Sequence, residues 1–224
     1  MALSVDQFQA LYERLSHGYD RKARLFSMIG FDEVRQKRQA VAELRLRPGD
    51  TVVDIGCGTG VNFELLLEEV GESGRIIGVD LTQGMLAQAG ARIRENGWNN
   101  VELVQSDAAE YAFPPDVDAV LSTYALTFVP GFASVIESAL IALGSGQRFA
   151  VLDMKKSQKW PGWVVNLMLK SVSGFGITHD LSERKPWEVM EKHAASVTMT
   201  EYFGGFAYLA IAQKGAEKGR DPTM

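Results

Sequence analysis

The sequence predicts an α/β fold, with a seven-stranded, mostly parallel sheet, an antiparallel last strand pair and helices on both faces. Three observations carry that expectation. Short apolar runs alternate with helix-length amphipathic stretches between residues 51 and 153. The first run, Val52-Val53-Asp54-Ile55, passes directly into Gly56-Cys57-Gly58-Thr59-Gly60 and then into a helical pattern. That order reads as strand, tight glycine turn and helix. Two late apolar runs lie too close together for a crossover helix, so they pair antiparallel.

The elements follow in order. Phe8, Leu11, Tyr12 and Leu15 hold the i, i+3, i+4, i+7 spacing of an amphipathic helix, and residues 4–45 read as helical. A second helix over 32–44 is ended by Pro48-Gly49-Asp50. Strands are predicted at 51–55, 75–79, 101–105, 119–122 and 149–153, with helices at 61–70, 84–96 and 133–143. Two later strands, 195–200 and 207–213, are joined by Gly204-Gly205. An apolar insertion over 157–187 holds Trp160, Trp163, Phe175 and Trp187. The predicted organisation is therefore a helical lid over 1–47, a main domain over 48–214 and a polar tail over 215–224.

At 224 residues and 46% hydrophobic, the chain can bury a substantial core. A net charge of −5 argues against nucleic acid as partner, because no basic excess exists to release counterions. Cys57 is the single cysteine, which excludes an internal disulfide and a cysteine-built zinc site. The N-terminal residues lack a signal peptide's apolar core, so the expected location is cytoplasmic. The stretch 163–172, flanked by Lys155, Lys156, Lys159 and Lys170, reads either as a core helix or as one that dips into a membrane surface.

In open parallel sheets, ligands bind beyond the carboxyl ends of the strands. A dinucleotide fingerprint requires G-x-G-x-x-G, and counting from Gly56 its third glycine falls on Val61. The pattern here is G-x-G-x-G with an acid two residues before it. That suits a nucleoside with a short amino-acid arm better than a pyrophosphate. The next strand ends at Asp80, placed to accept ribose hydroxyls. The third ends at Ser106-Asp107-Ala108, where the carboxylate and the Ala108 amide suit an adenine edge.

These motifs, in this order, resemble those of the class I S-adenosylmethionine-dependent methyltransferases, which have a Rossmann-like sheet. The resemblance covers roughly residues 48–153. Within that superfamily the chain is similar to the ubiquinone/menaquinone C-methyltransferase-like group and to lipid head-group N-methyltransferases. The resemblance implies S-adenosylmethionine as cofactor. It implies that Asp54 sits near the cofactor's amino-acid end and that Gly56, Gly58 and Gly60 let it approach, with Cys57 as a small loop filler. Asp80 would hold the ribose, Leu81 and Met85 flank the adenine, and Asp107 and Ala108 read its edge. Ser122 completes the set at the end of the fourth strand. Tyr19-Asp20 matches a Tyr-Asp at the cofactor lid of that group.

Methyl transfer from a sulfonium mainly requires alignment and exclusion of water. A base is needed only where the nucleophile carries a proton as it attacks. His179, beside Asp180, is the base candidate among His17, His179 and His193. Tyr124, after the fourth strand, either orients the acceptor, offers its ring to a cationic amine or simply packs. Trp160, Trp163, Phe175, Trp187, Tyr202 and Phe203 either line an apolar acceptor pocket or cover the sheet as core. The expected function is methyl transfer to a small, apolar, aromatic or lipid-like acceptor. The alternatives are a nicotinamide oxidoreductase and a non-catalytic cofactor-binding module.

Overall fold

The computed structural model describes residues 5–16, 32–115, 117–172, 181 and 183–216. Helix α1 (Val5–Ser16) and helix α2 (Glu33–Leu44) precede the sheet. Then come β1 (Thr51–Ile55), α3 (Phe63–Val70), β2 (Arg75–Asp80), α4 (Gln83–Asn96), β3 (Val101–Gln105) and β4 (Val117–Thr123). A 3₁₀ turn (Leu126–Phe128) leads to α5 (Phe132–Ala142) and β5 (Leu143–Met154). The chain ends with α6 (Gly162–Val172), α7 (Pro186–His193), β6 (Ser196–Tyr202) and β7 (Ala207–Gln213).

The seven strands form one sheet in the order β3-β2-β1-β4-β5-β7-β6. The first five are mutually parallel, and β7 runs antiparallel to both β5 and β6. The predicted architecture is present. β5 starts six residues earlier than the predicted 149, because α5 runs into it without a loop. Its register against β4 shifts between Val117 and Ala119. Gly144 and Gly146 concealed that lead-in, since glycine weakens a strand pattern.

Alternate residues of each central strand feed opposite faces. Val53, Val120, Phe149 and Val151 pack with Val135, Ile136 and Leu140 of α5 and Met190 of α7. Val52, Leu121, Ala150 and Leu152 pack with Ala40, Val41 and Leu44 of α2 and with Phe63 and Leu66 of α3. Because β1 is flanked by β2 on one side and β4 on the other, the connections diverge there. The crevice they leave opens at the carboxyl ends of β1 and β4.

The aromatic residues of the 157–187 insertion do not form one pocket. Trp160 packs on Phe203 and Phe206, with Val165 and Met168 of α6 beside them. Trp187 meets Tyr208 edge-on, with 4.8 Å between ring centres. Trp163 is 72% exposed. Phe175 lies outside the described residues; Trp160, Trp187, Tyr202 and Phe203 follow the packing reading, and Trp163 follows neither.

Candidate active site

The cleft at the switch point encloses about 1030 Å³ of non-protein space, its open mouth included. The loop after β1 forms its floor. The Gly56 and Cys57 amides both donate to Val79 O, at 2.8 and 3.0 Å, which pins the loop to β2. Gly56, Gly58 and Gly60 all have positive φ. A Cβ on Gly56 would stand 2.3 Å from Ala125 Cβ, and one on Gly60 would strike the Phe63 ring at 2.5 Å. A Cβ on Gly58 would meet nothing within 4 Å, and Gly58 lines the cleft. Gly56 and Gly60 therefore leave no room for a side chain, and Gly58 is the one of the three where a side chain would enter open space.

Asp80 lines the cleft, and both its carboxylate oxygens are held by backbone donors. Gly58 N–H reaches Oδ2 at 2.9 Å, and Thr82 N–H reaches Oδ1 at 2.8 Å. Each oxygen keeps acceptor capacity for a hydroxyl. Burial raises the Asp80 pKa, and the two amides oppose that rise. Leu81, Met85, Ser106, Asp107 and Ala108 also line the cleft. Asp107 Oδ1 accepts the Ala109 amide at 2.9 Å, which fixes the turn that presents this edge.

Asp54 and Ser122 lie beneath the surface. Asp54 is fully buried, and Asn62 Nδ2 donates to its two oxygens at 3.2 and 3.1 Å and to Thr123 Oγ1 at 3.0 Å. Burial pushes its pKa up to about 7, while Asn62 and Lys37 pull it down. Ser122 is fully buried and does not line the cleft; its neighbour Thr123 does. Strand alternation sends the two side chains to opposite faces. Cys57 lines the cleft, and burial together with Asp80 and Asp54 pushes its thiol pKa well up, which keeps it protonated.

One wall of the cleft is aromatic. Phe8 and Tyr12 of α1 lie 4.4 Å apart by ring centres, and Phe8 is 5.0 Å from Phe128. Val129 and Pro130 complete that wall. The turn carrying Phe128 is held from both sides. Asp153 Oδ2 accepts the Thr127 amide at 2.8 Å, and Arg184 donates to the carbonyls of Thr127 and Val129 at 2.7 and 3.0 Å. Burial lifts the Asp153 pKa to about 6, against the pull of those amides.

Tyr124 also lines the cleft, with φ +55°. Its hydroxyl donates to Gln36 Oε1, and Lys37 Nζ sits 5.9 Å from its ring centre. Its ring face thus already meets a cation of the protein itself. Burial, with Glu33 and Asp153, pushes its pKa well above the usual tyrosine range, which keeps the hydroxyl protonated. Glu33, Gln36 and Lys37 were not singled out by the sequence reading, nor were Phe128, Asp153 and Arg184. Tyr19, His17, His179 and Asp180 lie outside the described residues. His193 is exposed on α7 and pairs with Glu137 at 3.3 Å.

The cleft fits an adenosyl cofactor. Gly58 leaves open the volume a side chain would fill, Asp80 offers ordered acceptors, and Ser106, Asp107 and Ala108 present a polar edge beside Leu81 and Met85. A family model described as "Methyltransferase domain" matches residues 52–146. Those residues thus match a methyltransferase domain, and the sheet around them has the fold of solved S-adenosylmethionine-dependent methyltransferases. The chain is 34% identical over 157 residues to a 2-phytyl-1,4-naphtoquinone methyltransferase of Synechococcus elongatus, covering 69% of this chain and 66% of that protein. It is 29% identical over 160 residues to a demethylmenaquinone methyltransferase of Listeria welshimeri, covering 70% of this chain and 66% of that one. The chain thus spans just under two thirds of the length of these relatives. The fold is also that of phosphoethanolamine N-methyltransferase 2 of Haemonchus contortus, solved with S-adenosyl-L-methionine. That structure superposes with a TM-score of 0.67 at 16% identity, over 81% of this chain and 52% of that one. The domain match and the glycine register both set aside the nicotinamide alternative.

Proposed function

We propose that this protein transfers the methyl group of S-adenosylmethionine to a flat, apolar acceptor of the quinol kind. The observation that carries the reading is the mixed lining of the cleft. It combines Gly58, Asp80, Ser106 and Asp107 with an aromatic and apolar wall of Phe8, Tyr12, Phe128, Val129 and Pro130. The polar groups suit a nucleoside, and the aromatic wall suits a ring that stacks and sheds water. The names of the quinone-methylating relatives support the same acceptor class.

The bound cofactor supplies an already activated methyl electrophile. The chain's own residues have the simpler task of holding both partners in line and keeping water out. Asp80 and the Gly58 backbone orient the nucleoside. Asp153 and Arg184 fix the turn that sets Phe128 against the acceptor. α1 crosses the mouth with Phe8 and Tyr12, which supports residues 1–47 as a lid. His179, next to Asp180 in the sequence, is proposed to take the acceptor's hydroxyl proton.

A lipid-like acceptor also suits contact with a membrane surface. On α6, Trp163 and Leu167 are 72% and 61% exposed at i, i+4 spacing, and Lys170 continues the same face.

The experiment is an acceptor screen with S-adenosylmethionine, using demethylnaphthoquinols, simple phenols and phosphoethanolamine, read by mass spectrometry. The expected result is a naphthoquinol product heavier by one methylene. Methylation of phosphoethanolamine alone would move the assignment to the head-group class. Cofactor binding without any product would favour the non-catalytic module.

A further inference from the structure

Lys37 is the one basic side chain among the described residues lining the cleft. It is ion-paired to Glu33 at 2.5 Å, one turn earlier on the same helix face, and both side chains are largely sheltered, at 13% and 21% exposure. Its ammonium lies over the Tyr124 ring. It is also close enough to the buried Asp54 to favour that group's ionised form. The cleft therefore holds a cation paired with an acid of α2, within electrostatic reach of the buried Asp54 of β1.

S-adenosylmethionine carries an ammonium and a carboxylate on its amino-acid arm. We infer that Lys37 is the clamp for the cofactor's carboxylate, and that Glu33 holds the lysine in place until that carboxylate replaces it. The inference rests on the cofactor reading above. Replacing one carboxylate by another on the same lysine keeps the cation compensated throughout, so it need not be desolvated alone. An acceptor oxyanion is the competing ligand for such a cation. The electrostatic reach to Asp54, on the strand that runs into the glycine loop, favours the cofactor's arm.

Calorimetric titration with two nucleosides separates these roles. S-adenosylhomocysteine keeps the amino-acid arm, whereas 5′-deoxy-5′-methylthioadenosine keeps the adenosine and sulfur without it. Lys37→Met is expected to weaken S-adenosylhomocysteine roughly ten- to a hundredfold, the range of a lost charged hydrogen bond. Methylthioadenosine should stay within about twofold of wild type, which also shows that the variant is folded. Lys37→Arg should restore most of the loss, and Glu33→Gln should tighten S-adenosylhomocysteine severalfold. Equal weakening of both nucleosides by Lys37→Met, or unchanged binding of S-adenosylhomocysteine, would overturn the clamp. Unchanged or weaker binding in Glu33→Gln would overturn the exchange. Wild-type protein that binds neither nucleoside would refute the cofactor reading itself.

Discussion

Gly56 and Gly58 stand two residues apart, both with positive φ, and they are required for different reasons. At Gly56 a methyl group would collide with Ala125, a short side chain that cannot swing aside. Gly56→Ala is expected to cost more than about 3 kcal/mol, as overpacking adds to left-handed strain, and a thermal melt will read it. At Gly58 a methyl group enters open cleft. Gly58→Ala should cost about 1–2 kcal/mol of stability from backbone strain alone, yet weaken S-adenosylmethionine by roughly tenfold or more. A melt and a titration on the same two variants check the contrast. Asp80→Ala should abolish measurable cofactor binding, because it removes ordered acceptors and also frees the Gly58 and Thr82 amides. The sequence singles out these residues but cannot divide their labour, since φ and Cβ clearance depend on what the segment after β4 and Phe63 bring alongside.

At the scale of elements, α2 shows why part of the site was hidden. Its inner face carries Ala40, Val41 and Leu44 into the core, and the same face continues toward the N-terminus as Gln36, Lys37 and Glu33. A polar patch on the inner stripe of a helix looks like an ordinary amphipathic boundary until the fold sets it against a cleft. The strands, by contrast, were legible because apolar runs and glycine turns are local signals. The insertion was legible as apolar but not as to destination: Trp160 and Trp187 pack inward and Trp163 outward, while the cleft takes its rings from α1 and the Phe128 turn. α1 itself docks through a contact that spacing does not reveal. Thr82, the N-cap of α4, makes no side-chain cap, and Glu13 of α1 accepts the Gly84 amide at 3.1 Å instead. Glu13→Ala should cost about 1 kcal/mol, as a lost N-cap does, and should speed dissociation of S-adenosylhomocysteine in stopped-flow measurements.

For the whole molecule, the buried acids set a pH dependence. The Asp54 and Asp153 pKa values are raised from 3.8 to about 7 and about 6 by burial. Between the unfolded and folded pKa values the folded protein therefore holds protons that the unfolded chain has released. Their stabilising contribution is complete below pH 3.8 and is lost as pH rises through about 6 for Asp153 and about 7 for Asp54. Each contributes a slope of at most about 1.4 kcal/mol per pH unit within its window. The ligand-free protein should lose stability between pH 5 and 7 relative to a chain without these groups, and Asp54→Asn should flatten the part that extends toward about 7. Denaturant titrations across that range will measure it.

One measurement bears most directly on the central claim. Purified protein is incubated with S-adenosylmethionine carrying a labelled methyl group and a demethylnaphthoquinol, and the transfer of label is followed together with S-adenosylhomocysteine release. The account predicts label in the quinol, matched one for one by S-adenosylhomocysteine, and loss of both in Asp80→Ala. Protein that binds no S-adenosylmethionine, or that forms as much labelled product in Asp80→Ala as in wild type, would contradict it.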